Sequence, residues 1–214
     1  MRILVFAPHN DDEILGVGGT MKKYINRGDE VFVCEVTSGV HRVEIQEEAR
    51  KAHRYLGVKQ TFFLNQPVGK LRTQDQAELN KAIGEVVETV QPQVVYLPFI
   101  GDMHLDHREV TESAMVALRP VGAYAVREIY MYETLSETGW NIPSAERSFM
   151  PNVWVDISET IEDKREAMRF YRSQILEFPH PRSDEAITAL AKFRGATVGV
   201  PYAESFVLVR SIVR

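Results

Sequence analysis

The sequence predicts an α/β fold in which helices flank a mostly parallel sheet. Short apolar runs alternate with longer amphipathic segments along the chain, which is the pattern of right-handed βαβ units. Two of the apolar runs are followed at once by imidazole and carboxylate side chains. Open α/β sheets bind their ligands at the carboxyl ends of their strands. We therefore expect a Rossmann-like sheet with a functional site at that edge.

The elements follow in order along the chain. Apolar runs predict strands at residues 2–6, 31–36, 61–64, 93–97, 127–132 and 153–157. Amphipathic segments predict helices from about residue 14, at 44–56 and 74–90, and from a capping Ser158 towards residue 171. Gly57 is expected to end the second helix, and the turn-rich segment 137–144 to form a loop over the site. Gly16, Gly18 and Gly19 allow close packing of the first helix against the sheet or close approach to a ligand.

Composition narrows the class of protein. A chain of 214 residues, of which 44% are hydrophobic, can bury a sizeable core, so we expect a single domain over residues 1–214. A net charge of -5 argues against a nucleic-acid partner, which would need a clustered basic face. The single cysteine, Cys34, lies in an apolar run and is expected to be buried. No stretch is apolar enough for a signal peptide or a membrane span, so we expect no membrane partner and a cytoplasmic location.

The first polar cluster is the run 7–13, directly after the first predicted strand. It contains His9, Asp11, Asp12 and Glu13 within one tight turn. Three carboxylates so close together oppose one another's ionisation, and a divalent cation would relieve that conflict. An ordinary alternative is that Asp12 caps the following helix. The cluster alone therefore indicates half of a metal site without establishing it.

The second polar cluster follows the predicted strand at 93–97 and contains His104, Asp106 and His107. Two strand ends that carry imidazole and carboxylate can converge at one edge of a parallel sheet. Both groups are good zinc ligands, and a catalytic zinc keeps about three protein ligands and one open position for water. These residues cannot all be ligands, so some must act as a base, as an electrostatic stabiliser or as an orienting group. His41 and His53 belong to neither cluster, and we expect no chemical role for them.

These residues resemble the LmbE-like or PIG-L family of metal-dependent N-deacetylases. The family carries a run of the Ala-His-Pro-Asp-Asp-Glu type before a glycine-rich helix start, and a later His-x-Asp-His motif. The corresponding residues here are 9–13 with the following glycines, and 104–107. Asn10 stands where proline is usual, and Ile45 stands where an arginine is usual. These departures leave every motif residue proposed as a ligand in place.

The resemblance implies a division of roles within the two clusters. It implies that His9, Asp12 and His107 hold the metal, Zn²⁺ in a hydrolase of this kind, although two imidazoles and a carboxylate also suit Fe²⁺. It implies that Asp11 is the general base and that a cationic His104 helps to stabilise the oxyanion or supplies the leaving group's proton. Asp106 completes the candidate catalytic group by orienting one imidazole. Which imidazole that is stays open.

The carboxyl-terminal third resembles the branch that contains the bacillithiol-pathway deacetylases. The matching segments are 171–174, 180–183 and 202–206. The branch implies a small N-acetylated sugar conjugate as substrate, N-acetylglucosaminyl malate among them, and a homo-oligomer. Candidate substrate contacts are His180, Arg182 and Tyr202, and Trp140 is a candidate for stacking on a sugar. Two alternatives stay open: a metal hydrolase of another amide or ester bond, and a non-catalytic module that binds a sugar or nucleotide.

Overall fold

The computed structural model describes residues 1–121 and 125–213, and its strands form one seven-stranded sheet. The strands are β1 (Arg2–Ala7), β2 (Glu30–Ser38), β3 (Gln60–Pro67), β4 (Val94–Pro98), β5 (Glu128–Tyr132), β6 (Val153–Asp156) and β7 (Ala203–Ser211). Their order across the sheet is β3-β2-β1-β4-β5-β7-β6. Neighbouring strands pair in parallel from β3 to β5, and β7 runs antiparallel to both of its neighbours. The predicted α/β fold with a mostly parallel sheet is confirmed.

Helices connect the strands and cover both faces of the sheet. They are α1 (Asp12–Asn26), α2 (Arg42–Leu56), α3 (Gln76–Val90), α4 (Leu105–Ala117), the short α5 (Leu135–Thr138), α6 (Ile161–Arg169) and α7 (Asp184–Ala196). Gly57 ends α2 with a φ of 96°, as predicted. The prediction that Ser158 caps the next helix is wrong. The amide and hydroxyl of Ser158 donate to the Asp156 carboxylate, and α6 begins after Thr160.

Strand β1 shows how the sheet separates two layers of core. Ile3 and Val5 face the layer that contains α1, α2 and α6, whereas Leu4 and Phe6 face the layer that contains α3 and α4. The strand is therefore buried on both faces, as its unbroken apolar run predicts. Cys34 on β2 is also buried, as expected. Within the described residues, no helix has both the length and the apolar character that crossing a bilayer would require.

The glycines of α1 serve close packing. A Cβ atom at Gly16 would overlap the ring of Tyr132 on β5, and one at Gly19 would lie 2.9 Å from Ile157. The Tyr132 hydroxyl donates to the backbone carbonyl of Phe6 at 2.7 Å, which fixes the end of β1. The first turn of α1 therefore lies tightly against the sheet, directly beside the strand end that carries the first polar cluster.

Candidate active site

The two polar clusters meet because their strands are neighbours. β1 pairs in parallel with β4, so the loop after β1 and the loop after β4 leave the sheet side by side. The first loop is also tied to β2, where the amide and hydroxyl of Thr37 donate to the Pro8 carbonyl at 3.0 and 2.6 Å. His9 and His107 thereby come together with their ring centroids 5.3 Å apart.

Three side chains converge on one point, and we call His9, Asp12 and His107 the edge triad. Asp12 Oδ2 lies 3.3 Å from His9 Nδ1 and 3.1 Å from His107 Nε2. Zinc bound tetrahedrally at about 2.0 Å holds its ligand atoms about 3.3 Å apart, so this spacing suits it. Asp12 Oδ1 and His107 Nε2 are buried and have no hydrogen-bond partner among the described residues. Buried lone pairs without partners are costly, and a cation at this point would satisfy them.

Each imidazole of the edge triad is oriented by a carboxylate on its far side. Asp106 Oδ2 lies 3.3 Å from His9 Nε2, and Asp102 Oδ2 lies 2.8 Å from His107 Nδ1. A ring nitrogen that donates to a carboxylate leaves the opposite nitrogen as the acceptor, so both lone pairs point towards Asp12. Asp106 therefore orients His9, which the sequence left open.

Both orienting carboxylates are themselves fixed. The backbone N–H of Gly69 donates to Asp106 at 2.6 Å, and the Thr138 hydroxyl donates to Asp102 at 2.5 Å. Thr138 belongs to α5, so the segment predicted to form a loop over the site contributes a support for His107 instead. Sequence reasoning assigned no role to Asp102. The only available signal was a carboxylate five residues before His107, between the predicted strand and the second motif.

The carboxylates around the edge triad stabilise positive charge at this point, either as protons on the two imidazoles or as a bound cation that replaces those protons. Burial opposes a charge on His9, but hydrogen bonds to Asp106 and Asp12 outweigh it and raise the pKa of His9 to about 9. Burial is likewise outweighed at His107, whose pKa Asp12 and Asp102 raise well above its usual range. The two imidazoles in turn hold the pKa of Asp12 well below its usual range despite its burial. A carboxylate that stays ionised in a buried position is a suitable ligand for a divalent ion.

Asp11 lies next to the edge triad but points away from it. Its two carboxylate oxygens are buried and have no hydrogen-bond partner among the described residues, and Arg182 Nε lies 3.4 Å from Asp11 Oδ2. Burial raises the pKa of Asp11 to about 8, although Arg182 acts in the opposite direction. The backbone of Asp11 has a φ of 131°, a conformation that favours glycine. A strained residue with a free, buried carboxylate beside a cation site is a strong candidate for a base.

His104 packs against the edge triad with its ring centroid 4.4 Å from that of His9. Its Nδ1 accepts the backbone N–H of Asp106 at 3.1 Å, so the proton of the neutral ring lies on Nε2. Burial, together with the nearby His9 and His107, lowers the pKa of His104 to about 4. This lowered pKa argues against the cationic His104 that the resemblance implies and favours a neutral ring that donates from Nε2.

The part of the chain that carries this arrangement is similar to a known protein family. The family profile described as PIG-L, GlcNAc-PI de-N-acetylase, matches residues 4–118, which include the edge triad, Asp11 and His104. The chain belongs to this family. Membership agrees with the resemblance carried by the two sequence motifs.

Two relatives that match the PIG-L chain over nearly its whole length are named as deacetylases. The diacetylchitobiose deacetylase of Thermococcus kodakarensis is 27% identical, over 99% of this chain and 84% of that protein. The 1D-myo-inositol 2-acetamido-2-deoxy-alpha-D-glucopyranoside deacetylase of Mycobacterium sp. (strain JLS) is 26% identical, over 97% of this chain and 83% of that protein. The crystal structure of the conserved protein TT1542 from Thermus thermophilus matches with a TM-score of 0.81 at 29% identity, over 99% of this chain and 96% of that one. The predicted enzyme class, a deacetylase of N-acetylated sugars, is confirmed at the level of the family.

The candidate substrate contacts of the PIG-L chain lie in two different environments. Arg182 reaches the site through its contact with Asp11, and the backbone N–H of Arg182 donates to His180 Nδ1 at 3.1 Å. The ring of Trp140 stands edge-on to His180, with centroids 5.9 Å apart, and is 56% exposed. Arg182, His180 and Trp140 therefore follow one another by contact from Asp11 to the protein surface.

Tyr202 belongs to a different environment. Its ring packs against Ile157, Ile161 and Ala191, and the Lys192 ammonium lies 5.9 Å from the ring centroid. Among the described residues, the contacts found for Tyr202 include no member of the edge triad and neither Asp11 nor His104. These contacts support a packing role for Tyr202, and its assignment as a substrate contact stays a prediction.

Sequence reasoning missed a second group behind the site, Glu13, Glu35 and His53, which we call the buried triad. All three side chains are almost completely buried, and His53 Nε2 lies 3.0 Å from Glu13 Oε1 and 3.6 Å from Glu35 Oε1. His53, for which the sequence predicted no chemical role, is therefore a buried member of this group. A signal was present in the sequence, because Glu35 interrupts an otherwise apolar strand.

Proposed function

We propose that this PIG-L protein is a zinc-dependent N-deacetylase that removes the acetyl group from the 2-acetamido nitrogen of an N-acetylglucosaminyl conjugate. N-acetylglucosaminyl malate of the bacillithiol pathway is the first candidate. One observation carries the proposal: the edge triad converges beside Asp11, a buried carboxylate that has no hydrogen-bond partner in the part of the chain that the structure describes. Hydrolysis by activated water requires at least a set of metal ligands and, next to it, a base that is available to accept a proton.

The edge triad would hold a single divalent cation. One carboxylate and two oriented imidazoles are the three protein ligands of a catalytic site that keeps a position for water. A divalent ion bound there supplies a Lewis acid that lowers the pKa of water and polarises an acetyl carbonyl oxygen. We favour Zn²⁺ over Fe²⁺ because the reaction is hydrolytic, since the ligand types suit both metals.

Asp11 would act first as a base and then as an acid. Its free carboxylate takes a proton from the water that attacks the acetyl carbonyl carbon. Burial raises the pKa of Asp11 to about 8, so the protonated form is stable enough to carry that proton. Asp11 then gives the proton to the amide nitrogen as the carbon–nitrogen bond breaks. The products are acetate and a free amine.

His104 would stabilise the negative charge that develops on the acetyl oxygen. Its neutral ring carries the proton on Nε2, because Nδ1 accepts the Asp106 amide. A neutral donor aimed at the oxyanion strengthens its hydrogen bond as charge develops, which lowers the barrier. Asp106 and Asp102 hold the two metal-binding imidazoles and do not touch the substrate in this scheme.

The path from Asp11 to the surface suggests how a sugar conjugate binds. The exposed ring of Trp140 offers an apolar face for a pyranose, and Arg182 offers a cation for an anionic substituent such as malate. The named relatives act on 2-acetamido sugars, diacetylchitobiose and an inositol glycoside. We therefore propose a substrate with a 2-acetamido sugar at the edge triad and an anionic aglycone near Arg182.

The test is release of free amine from N-acetylglucosaminyl malate, N,N'-diacetylchitobiose and N-acetylglucosaminyl inositol. The enzyme is measured after chelation and after reloading with Zn²⁺ or Fe²⁺. We expect metal-restored release, fastest from the malate conjugate. Equal rates for charged and neutral conjugates would remove the role of Arg182 in selectivity. If no conjugate releases amine although the protein binds one metal ion per chain, the deacetylase proposal is rejected in favour of another amide or ester.

A further inference from the structure

The backbone of Asp11 needs a restraint that its own side chain does not provide. Asp11 caps α1 with φ 131° and ψ -24°, and its carboxylate makes no capping hydrogen bond. A non-glycine residue keeps such a conformation only where neighbouring groups hold it. The backbone N–H of Asp11 donates to Glu13 Oε2 at 3.2 Å. Glu13 thus restrains the main chain of the proposed base while the base's carboxylate stays free.

Glu13 is itself held from two other directions. The Tyr171 hydroxyl donates to Glu13 Oε1 at 2.6 Å, and His53 Nε2 lies 3.0 Å from the same oxygen. His53 Nδ1 lies 2.8 Å from Thr61 Oγ1 on β3, which fixes the imidazole plane. A neutral His53 that donates from Nε2 accepts the Thr61 hydroxyl at Nδ1. The restraint on Asp11 is therefore anchored to α2, β3 and the segment that carries Tyr171.

Glu35 completes the buried triad beside Glu13. Both of its carboxylate oxygens lack partners among the described residues. Burial raises the pKa of Glu35 well above its usual range, and Glu13, Asp12 and Asp11 act in the same direction. The hydrogen bonds that fix Glu13 from elsewhere in the fold come from Tyr171 and His53.

The buried triad could also be considered as a second cation site, because its spacings of 3.0 and 3.6 Å resemble those of the edge triad. The two groups differ in their free lone pairs. Glu13 already accepts from Tyr171, His53 and Asp11, whereas Asp12 Oδ1 and His107 Nε2 have no hydrogen-bond partner among the described residues. The contacts of Glu13 therefore favour a role in holding the protein chain.

We propose that Glu13 is a positioning residue, which holds Asp11 in its strained conformation through the Asp11 backbone N–H and is fixed in turn by Tyr171 and His53. The inference rests on the proposed function, in which Asp11 is the base. Glu13 acts through Asp11 and touches neither substrate nor metal. Its loss should therefore slow turnover while substrate and metal binding persist.

The experiment compares Glu13→Gln with a matched control, Glu133→Gln. Glu133 is another buried glutamate; its carboxylate accepts hydrogen bonds from Arg194 and Ser205, which lie outside both triads. For Glu13→Gln we expect kcat to fall about 10- to 100-fold, as for other groups that orient catalytic residues, with KM and zinc content unchanged. For Glu133→Gln we expect a lower Tm without a change in kcat.

A second variant and a structural readout keep the test decisive if Glu13→Gln folds poorly. Tyr171→Phe removes one hydrogen bond to Glu13 and should lower kcat about 5-fold, again at constant KM. In crystals of the zinc-loaded Glu13→Gln enzyme, Asp11 should leave the positive φ region. This readout does not depend on activity, so it tests the inference even if the wild type proves inactive on every conjugate.

Three results would overturn the inference. The first is a fall in kcat for Glu13→Gln no larger than that for Glu133→Gln. The second is an Asp11 backbone that keeps its φ near 131° in the Glu13→Gln crystal. The third is a wild-type content of two metal ions per chain, of which one is lost in Glu13→Gln, since that would make the buried triad a cation site.

Discussion

Asp12 and Glu13 are consecutive residues in the first turn of α1, yet they serve two groups of opposite character. Asp12 joins the edge triad, and Glu13 joins the buried triad. Both groups combine carboxylate and imidazole at similar spacings. They differ in what surrounds them. The edge triad keeps lone pairs without partners among the described residues, and its His9 is 17% exposed, whereas Glu13 is fully buried and accepts three hydrogen bonds.

This difference teaches that residue types alone do not define a metal site. Outer carboxylates turn the lone pairs of His9 and His107 towards Asp12. In the buried triad, a hydroxyl, an imidazole and a backbone amide already use the oxygens of Glu13. We infer that the first arrangement suits a cation from solution and that the second suits the restraint of a strained backbone.

Loss of one imidazole from each triad should separate the two roles most strongly. His107→Ala removes a metal ligand and should weaken zinc binding by more than about 100-fold, beyond the range for orienting groups, with loss of turnover. His53→Ala should keep one zinc per chain but lose about 3 kcal/mol of unfolding free energy, because it leaves buried carboxylates without their partner. Metal analysis measures the zinc content of each variant, and urea unfolding measures its unfolding free energy. Equal zinc loss in the two variants would contradict the distinction.

Removal of the proposed base should leave the edge triad intact. Asp11→Asn keeps the shape of the side chain but cannot accept the proton, so kcat should fall about 10²- to 10⁴-fold. Zinc content should not change, because Asp11 is not a ligand. Steady-state rates on the best conjugate measure kcat, and metal analysis of the same preparation measures the zinc content. Normal turnover in this variant would remove Asp11 from the base role.

The two orienting carboxylates should have smaller effects that follow their partners. Asp102→Asn disturbs His107 and Asp106→Asn disturbs His9, and each should lower zinc affinity about 10- to 100-fold. Competition with a fluorescent chelator measures the change. A variant that binds zinc as tightly as the wild type would show that the corresponding imidazole needs no support.

The smallest effect is expected at Glu35. If burial keeps this side chain protonated, Glu35→Gln replaces one neutral group by another and should change the unfolding free energy by less than about 1 kcal/mol at neutral pH. Urea unfolding provides the measurement. A loss of about 3 kcal/mol or more would indicate instead that Glu35 is ionised and paired with His53.

The sequence predicted the parts of the fold that depend on local pattern. The buried β1, the end of α2 at Gly57 and the convergence of the two polar clusters all follow from apolar periodicity or from short motifs. The long-range parts were not predictable in this way. Strand β7 lies between β5 and β6 in antiparallel pairing, and no local pattern encodes which strand it joins.

The site shows the same division. His9, Asp11, Asp12, His104 and His107 lie in two short runs that the sequence displays directly. Asp102 and the buried triad depend on contacts across the fold, such as the approach of His53 on α2 to Glu13 on α1. Tyr202 was predicted to contact substrate from a motif alone, and a motif does not show that its ring packs against Ile157. The predicted homo-oligomer, the single domain and the cytoplasmic location stay predictions.

The most direct test of the account is anomalous diffraction at the zinc edge from crystals of the zinc-reloaded protein. We predict one strong peak per chain, within bonding distance of His9 Nδ1, Asp12 and His107 Nε2. We predict no peak among Glu13, Glu35 and His53. A peak in the buried triad, or a fully loaded crystal without a peak at the edge triad, would contradict the account.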